Sequence, residues 1–141
     1  MTRDAGPEFL VDTSVAVALS ALDHEGRAAT LPVVSGRRIG LAGHAAFETY
    51  SVLTRLPGSA RRTPMAASRL LAANFPHSRF LSRAATAGLL AKLAELGVSG
   101  GAVYDAMVGA TAVESGVPLL TRDRRALATY RALDVDVIVV R

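Results

Sequence analysis

The sequence predicts a three-layer α/β/α sandwich on a short-stranded parallel sheet, in a single domain covering residues 1–141, and three observations predict it. Short apolar runs alternate with helical stretches along the whole chain. Strands joined by helices call for a parallel sheet covered on both faces, because each right-handed crossover lays its helix over the sheet. Acidic residues follow two of the apolar runs, at the strand ends where α/β sheets carry ligands. The 141 residues are 50% hydrophobic and 20% charged, with mean hydropathy +0.31, which is enough apolar material for one sizeable core.

Phe9, Leu10 and Val11 form the first apolar run, ending at Asp12. The hydroxyl of Thr13 or Ser14 is expected to cap a helix reaching Ser20, by accepting from its free amides. A second helix is expected from His24 towards Ser35, with Pro32 kinking or stopping it, and Ile39, Gly40 and Leu41 form a second strand. Phe47, Tyr50, Val52, Leu53 and Leu56 recur at helical spacing from His44 to Leu56, and Pro57 and Gly58 close that helix. Thr63 and Pro64 make a cap and first turn for a helix to Asn74, stopped by Pro76. Residues 78–81 are expected to form a further strand.

A helix over 86–96 ends at Gly97, and the Gly100, Gly101 pair leads into a long helix from Ala102 to Ser115 with Gly116 as its cap. Residues 117–120 read as a buried strand leading to Thr121 and Asp123, followed by a helix to about Tyr130 and a last strand over 135–140.

The chain has no cysteine, which excludes disulfides, thiolate metal sites and a cysteine nucleophile. The stretch from Phe9 to Leu22 is too short to span a bilayer, is interrupted by Asp12 and follows Asp4 and Glu8, so no membrane span and no export are expected and the cytoplasm is the expected compartment. Net charge is +4, and all but one of the 16 basic residues are arginine, a forked donor suited to phosphate. From Thr49 to Ala94 there is no acid, while Arg55, Arg61, Arg62, Arg69, Arg79, Arg83 and Lys92 give seven positive charges. Such a block is a footprint for a polyanion as well as a set of solvated helix faces.

Four acids stand out. Asp12 and Asp123 follow strands that reach one sheet edge if both are central and parallel, and Glu48 and Asp105 lie on helices. Asp105 sits in Val103-Tyr104-Asp105-Ala106-Met107-Val108 and Glu48 in Ala45-Ala46-Phe47-Glu48-Thr49-Tyr50, so burial of both is expected. Neither has a Lys or Arg at a spacing of three or four, and an unpaired buried carboxylate is costly. A hard divalent cation, Mg²⁺ or Mn²⁺, would neutralise such a set, acidify water and stabilise charge on an attacked phosphate. The chain lacks a glycine-rich phosphate loop ending in Gly-Lys-Ser/Thr, a Gly-x-Ser-x-Gly elbow and a His pair at metal spacing; His24, His44 and His77 are scattered surface or capping residues.

The segments Phe9-Leu10-Val11-Asp12-Thr13-Ser14, residues 47–57, Tyr104-Asp105-Ala106 and Leu120-Thr121-Arg122-Asp123 resemble, in order and spacing, the PIN-domain ribonucleases, specifically VapC-type toxins of bacterial toxin-antitoxin pairs. The resemblance implies a PIN-like fold in which Asp12, Glu48, Asp105 and Asp123 hold Mg²⁺ or Mn²⁺ and cleave RNA endonucleolytically. Ser14 and Thr121 match hydroxyls that support the site. It also implies a homodimer and a VapB-type antitoxin laid across the acids, and turns the acid-free block into an RNA track led by Arg55, Arg61, Arg62 and Arg69. Two alternatives are a PIN-like module that binds RNA or protein without catalysis, and a Mg²⁺-dependent phosphatase of small molecules.

Overall fold

The structure is a computed structural model that describes residues 5–141; Met1 to Asp4, including the Asp4 weighed against export, lie outside the described residues. Four strands, β1 (Phe9–Val11), β2 (Ile39–Leu41), β3 (Leu119–Thr121) and β4 (Val137–Val139), form one fully parallel sheet in the order β2-β1-β3-β4. The helices are α1 (Thr13–Ser20), α2 (Arg27–Val34), α3 (Ala45–Thr54), α4 (Pro64–Asn74), α5 (Arg83–Leu96), α6 (Ala102–Ser115) and α7 (Leu127–Ala132). The central strands are buried on both faces, and each face has its own apolar cluster. Leu10, Leu119, Val108, Ala112 and Tyr130 meet on one side, and Val11, Leu120, Val15, Leu41 and Phe75 on the other. Successive strand side chains point to opposite faces, so Leu10 and Val11 each need an apolar partner layer. Among the described residues no helix is long and apolar enough to cross a membrane.

Several elements differ from the expectation. Asp12, not Thr13 or Ser14, caps α1: its Oδ1 accepts from the Val15 amide at 3.2 Å. Pro32 does not stop α2, which starts only at Arg27 and runs on to Val34, with the Ser35 amide bonded to the Leu31 carbonyl. Ser82 caps α5 three residues earlier than expected for a start at Thr86. Glu114 of α6 accepts from both the Ser82 amide, at 2.8 Å, and its hydroxyl, at 2.5 Å.

Residues 78–81 form no strand. The segment runs beside β2, with the His77 and Arg79 amides bonded to the Ile39 and Leu41 carbonyls, but only one isolated bridge, Ala42 to Arg79, results. The Leu41 amide is taken by the Ser78 hydroxyl at 2.8 Å instead of a main-chain carbonyl, which breaks the ladder. Gly40 permits this approach: a Cβ there would stand 2.1 Å from the His77 carbonyl group.

Candidate active site

β1 lies between β2 and β3, so the chain leaves β1 to one side and returns on the other, and the crevice beyond the ends of β1 and β3 is the topological switch point. Asp12 follows β1 there and Asp123 lies two residues beyond β3. Glu48 and Asp105, both in the first turns of their helices α3 and α6, reach the same place. The four carboxylates line one cleft of about 240 Å³ together with Thr13, Ser14, Val108 and Tyr130.

Asp12 is the most enclosed of the four, 3% exposed. Its Oδ1 accepts from the Ser14 hydroxyl at 2.6 Å as well as from the Val15 amide, and its Oδ2 accepts from the Thr121 hydroxyl and from the Tyr130 hydroxyl at 2.9 Å. Two of these donors are themselves anchored. Ser14 Oγ accepts from the Arg122 amide at 2.8 Å and Thr121 Oγ1 from the Asp123 amide at 3.0 Å. Ser14 and Thr121 therefore tie the end of β3 to the start of α1 through one carboxylate.

Burial raises the Asp12 carboxyl pKa, against the lowering effect of its four donors. Glu48 is raised by burial, while His44 opposes the rise and the Asp12 charge adds to it. Asp105 is pushed up to about 6, first by burial and then by the charges of Asp123, Glu48 and Asp12. Tyr130 is driven above the ordinary phenol range, by burial first and the Asp12 charge second. Among the described residues no Lys or Arg is ion-paired with Asp12, Glu48 or Asp105; the nearest relief is His44, 3.7 Å from Glu48, and Arg125, 3.4 Å from Asp123.

The all-carboxylate donor set fits a hard divalent cation such as Mg²⁺ or Mn²⁺. Among the described residues no group of three or more His, Asp or Glu is gathered as a ready-made ion cage. Mg²⁺ itself usually binds through one or two carboxylates and keeps several waters.

The expected burial of Glu48 and Asp105 is not what the structure shows. Both are half-buried, because their helices turn this face to the cleft and their aromatic neighbours face outward, Phe47 at 67% and Tyr104 at 51% exposure. His44, read as a surface or capping residue, stands one turn before Glu48 and stacks on Tyr104 with ring centres 4.8 Å apart. The i, i+4 spacing of His44 and Glu48 was the available signal. Tyr130 was missed because its sequence neighbours mark only a helix end. Arg55, Arg61, Arg62 and Arg69 do not line the cleft. They sit at the C-terminal end of α3, in the following loop and on α4, where Arg61 Nε donates to the Leu56 carbonyl at 2.9 Å.

A parallel α/β sheet with carboxylates crowded at its switch point defines a class of small acidic-cleft α/β domain. The PIN-domain profile matches residues 9–132, and the chain belongs to the PIN-domain family, among its VapC members. It is 46% identical over 133 residues to ribonuclease VapC27 of Mycobacterium tuberculosis, covering 94% of this chain and 97% of the relative. It is 49% identical over 131 residues to ribonuclease VapC40 of the same species, covering 92% and 96%. The fold is shared with FitAcB of Neisseria gonorrhoeae, at TM-score 0.64 and 20% identity over 92% of this chain and 96% of that one. It is also shared with VapBC2 of Rickettsia felis, solved bound to a promoter DNA fragment, at TM-score 0.62 and 12% identity over 94% and 98%.

Proposed function

We propose that this chain is a divalent-cation-dependent endoribonuclease and the toxin of a toxin-antitoxin pair. The observation that carries this reading is that Asp12, Glu48, Asp105 and Asp123 line one cleft, where burial first and the other three charges second raise the Asp105 pKa. Such mutual repulsion stabilises nothing in the empty protein and is relieved by a cation. The relatives of nearly equal length are named ribonucleases.

In this reading Asp12, Glu48, Asp105 and Asp123 hold Mg²⁺ or Mn²⁺. When bound, the cation stabilises the negative charge that develops on an attacked phosphodiester and acidifies water into nucleophilic range. The chain itself supplies orientation. Ser14 and Thr121 fix Asp12 in plane and oppose the rise in its pKa that burial causes, since donors to a carboxylate favour its charged form. Arg55, Arg61, Arg62 and Arg69 carry the RNA backbone away from the cleft: Arg55 lies about 10 Å beyond Glu48 along α3, at 1.5 Å per residue. The partners are RNA, a VapB-type antitoxin that blocks the acids and a second copy of the chain, with the cytoplasm as the compartment.

The test is cleavage of total RNA by the antitoxin-free protein in Mg²⁺, Mn²⁺ or EDTA, beside Asp12→Ala and Asp105→Ala. Discrete fragments that require the cation and both acids are expected, and mapped fragment ends name the target. A folded protein that binds RNA and cuts none would shift the function to the non-catalytic module, and turnover of a phosphomonoester alone to a phosphatase.

A further inference from the structure

The Asp12 carboxylate accepts protein donors at both oxygens, Ser14 and Val15 at Oδ1 and Thr121 and Tyr130 at Oδ2. Rotation about the last side-chain torsion of an aspartate is soft, so these donors decide which edge of the carboxylate faces the cleft. Ser14 and Thr121 each have a second bond to a main-chain amide, which holds them in place whatever Asp12 does. Tyr130 differs. Its hydroxyl bonds only to Asp12 among the described residues, and it lines the cleft, which Thr121 does not.

The ring behind that hydroxyl is seated with care. Tyr130 is 1% exposed, and its ring lies against α6 at Gly109, where a Cβ would come within 3.1 Å of Tyr130 Cδ1 and 2.9 Å of Val135 Cγ2. A glycine inside a helix destabilises it relative to alanine, and here the space a Cβ would take is occupied by the phenol ring and Val135. Gly109 stands one turn after Asp105, so a single stretch of α6 supplies an acid of the cleft and the seat of the ring that holds another.

Resting on the cation reading above, we propose that Tyr130, seated on Gly109, is a positioning residue that fixes the Asp12 carboxylate for the cation. It touches neither substrate nor cation and acts through Asp12. Partners of this kind, bonded to a ligating carboxylate, set metal affinity by about 10- to 100-fold.

The experiment is calorimetric titration of the whole, nucleic-acid-free protein with Mn²⁺, for wild type, Tyr130→Phe, Gly109→Ala and Leu127→Ala. Tyr130→Phe keeps the ring and is expected to weaken Mn²⁺ binding by about tenfold or more. Gly109→Ala crowds the ring as well as Val135, without removing a polar atom, and weakens binding in the same direction. Leu127 is buried on the same helix; its truncation lowers the melting temperature and leaves Mn²⁺ affinity unchanged, which separates positioning from packing. Mn²⁺ should also perturb the tyrosine absorption band of wild type, an effect lost in Tyr130→Phe although Tyr50 and Tyr104 remain. Wild-type affinity in both Tyr130→Phe and Gly109→Ala overturns the role of Tyr130 and leaves the cation reading standing. A folded wild type that binds no Mn²⁺ overturns both.

Discussion

Replacing Asp105 by asparagine should make the cation-free protein more stable, which is unusual for a residue in the middle of a candidate active site. The folded structure raises the Asp105 pKa from 3.8 to about 6, by burial and by three neighbouring carboxylates. A carboxyl whose pKa is raised on folding costs stability when ionised. That cost is absent below about pH 4, grows as the pH rises and is complete above about pH 6. Moving the pKa from 3.8 to about 6 corresponds to roughly 3 kcal/mol. Asp105 is only half-buried, and solvent screening reduces this to about 1 kcal/mol. For a chain of this length that is a rise of about 3 °C in melting temperature.

Thermal unfolding in EDTA at pH 7.5 and at pH 4, for wild type and Asp105→Asn, reads the effect directly. The variant should melt higher at pH 7.5 and equal to wild type at pH 4. Adding Mn²⁺ should reverse the order at pH 7.5, because a cation that binds only the folded wild type stabilises it by mass action. A variant that melts lower than wild type in EDTA at pH 7.5 would refute the reasoning, since it would show that the Asp105 charge is compensated within the protein.

Asp12→Asn should behave in the opposite way: an amide nitrogen meets at least one of the four donors now satisfied by Asp12, so stability falls by about 1–3 kcal/mol in EDTA, measurable by urea unfolding. Gly40→Ala should destabilise by about 1–3 kcal/mol through overpacking against the His77 main chain, and an unchanged denaturation midpoint would show that the 77–79 segment moves freely. RNA binding by wild type in EDTA should weaken steeply with salt. Replacing Arg55, Arg61, Arg62 or Arg69 by alanine should each lower the log-log slope by about 0.7, the share of one phosphate on a single strand, and a slope unchanged in the quadruple variant removes these residues from the track.

Outside residues 78–81, the order of strands and helices, the parallel pairing and the four candidate acids were legible in the sequence, because these depend on periodicity and on residues next to their own elements. Asp12 is one residue past β1 and Asp123 two past β3, and any parallel pairing of those strands brings the two together. Caps were less legible: whether Asp12, Thr13 or Ser14 caps α1 depends on where the chain turns, and Glu114 reaches Ser82 across 32 residues. The strand expected over 78–81 failed for a tertiary reason, since a serine hydroxyl took the amide that the ladder needed. The environment of the acids was set by packing between distant segments. Their helices present a cleft face rather than a buried one, so Glu48 and Asp105 are half-buried, and the phenol that holds Asp12 comes from 118 residues along the chain. Local pattern identifies a carboxylate, but its pKa is set by burial and by charges that only folding brings near.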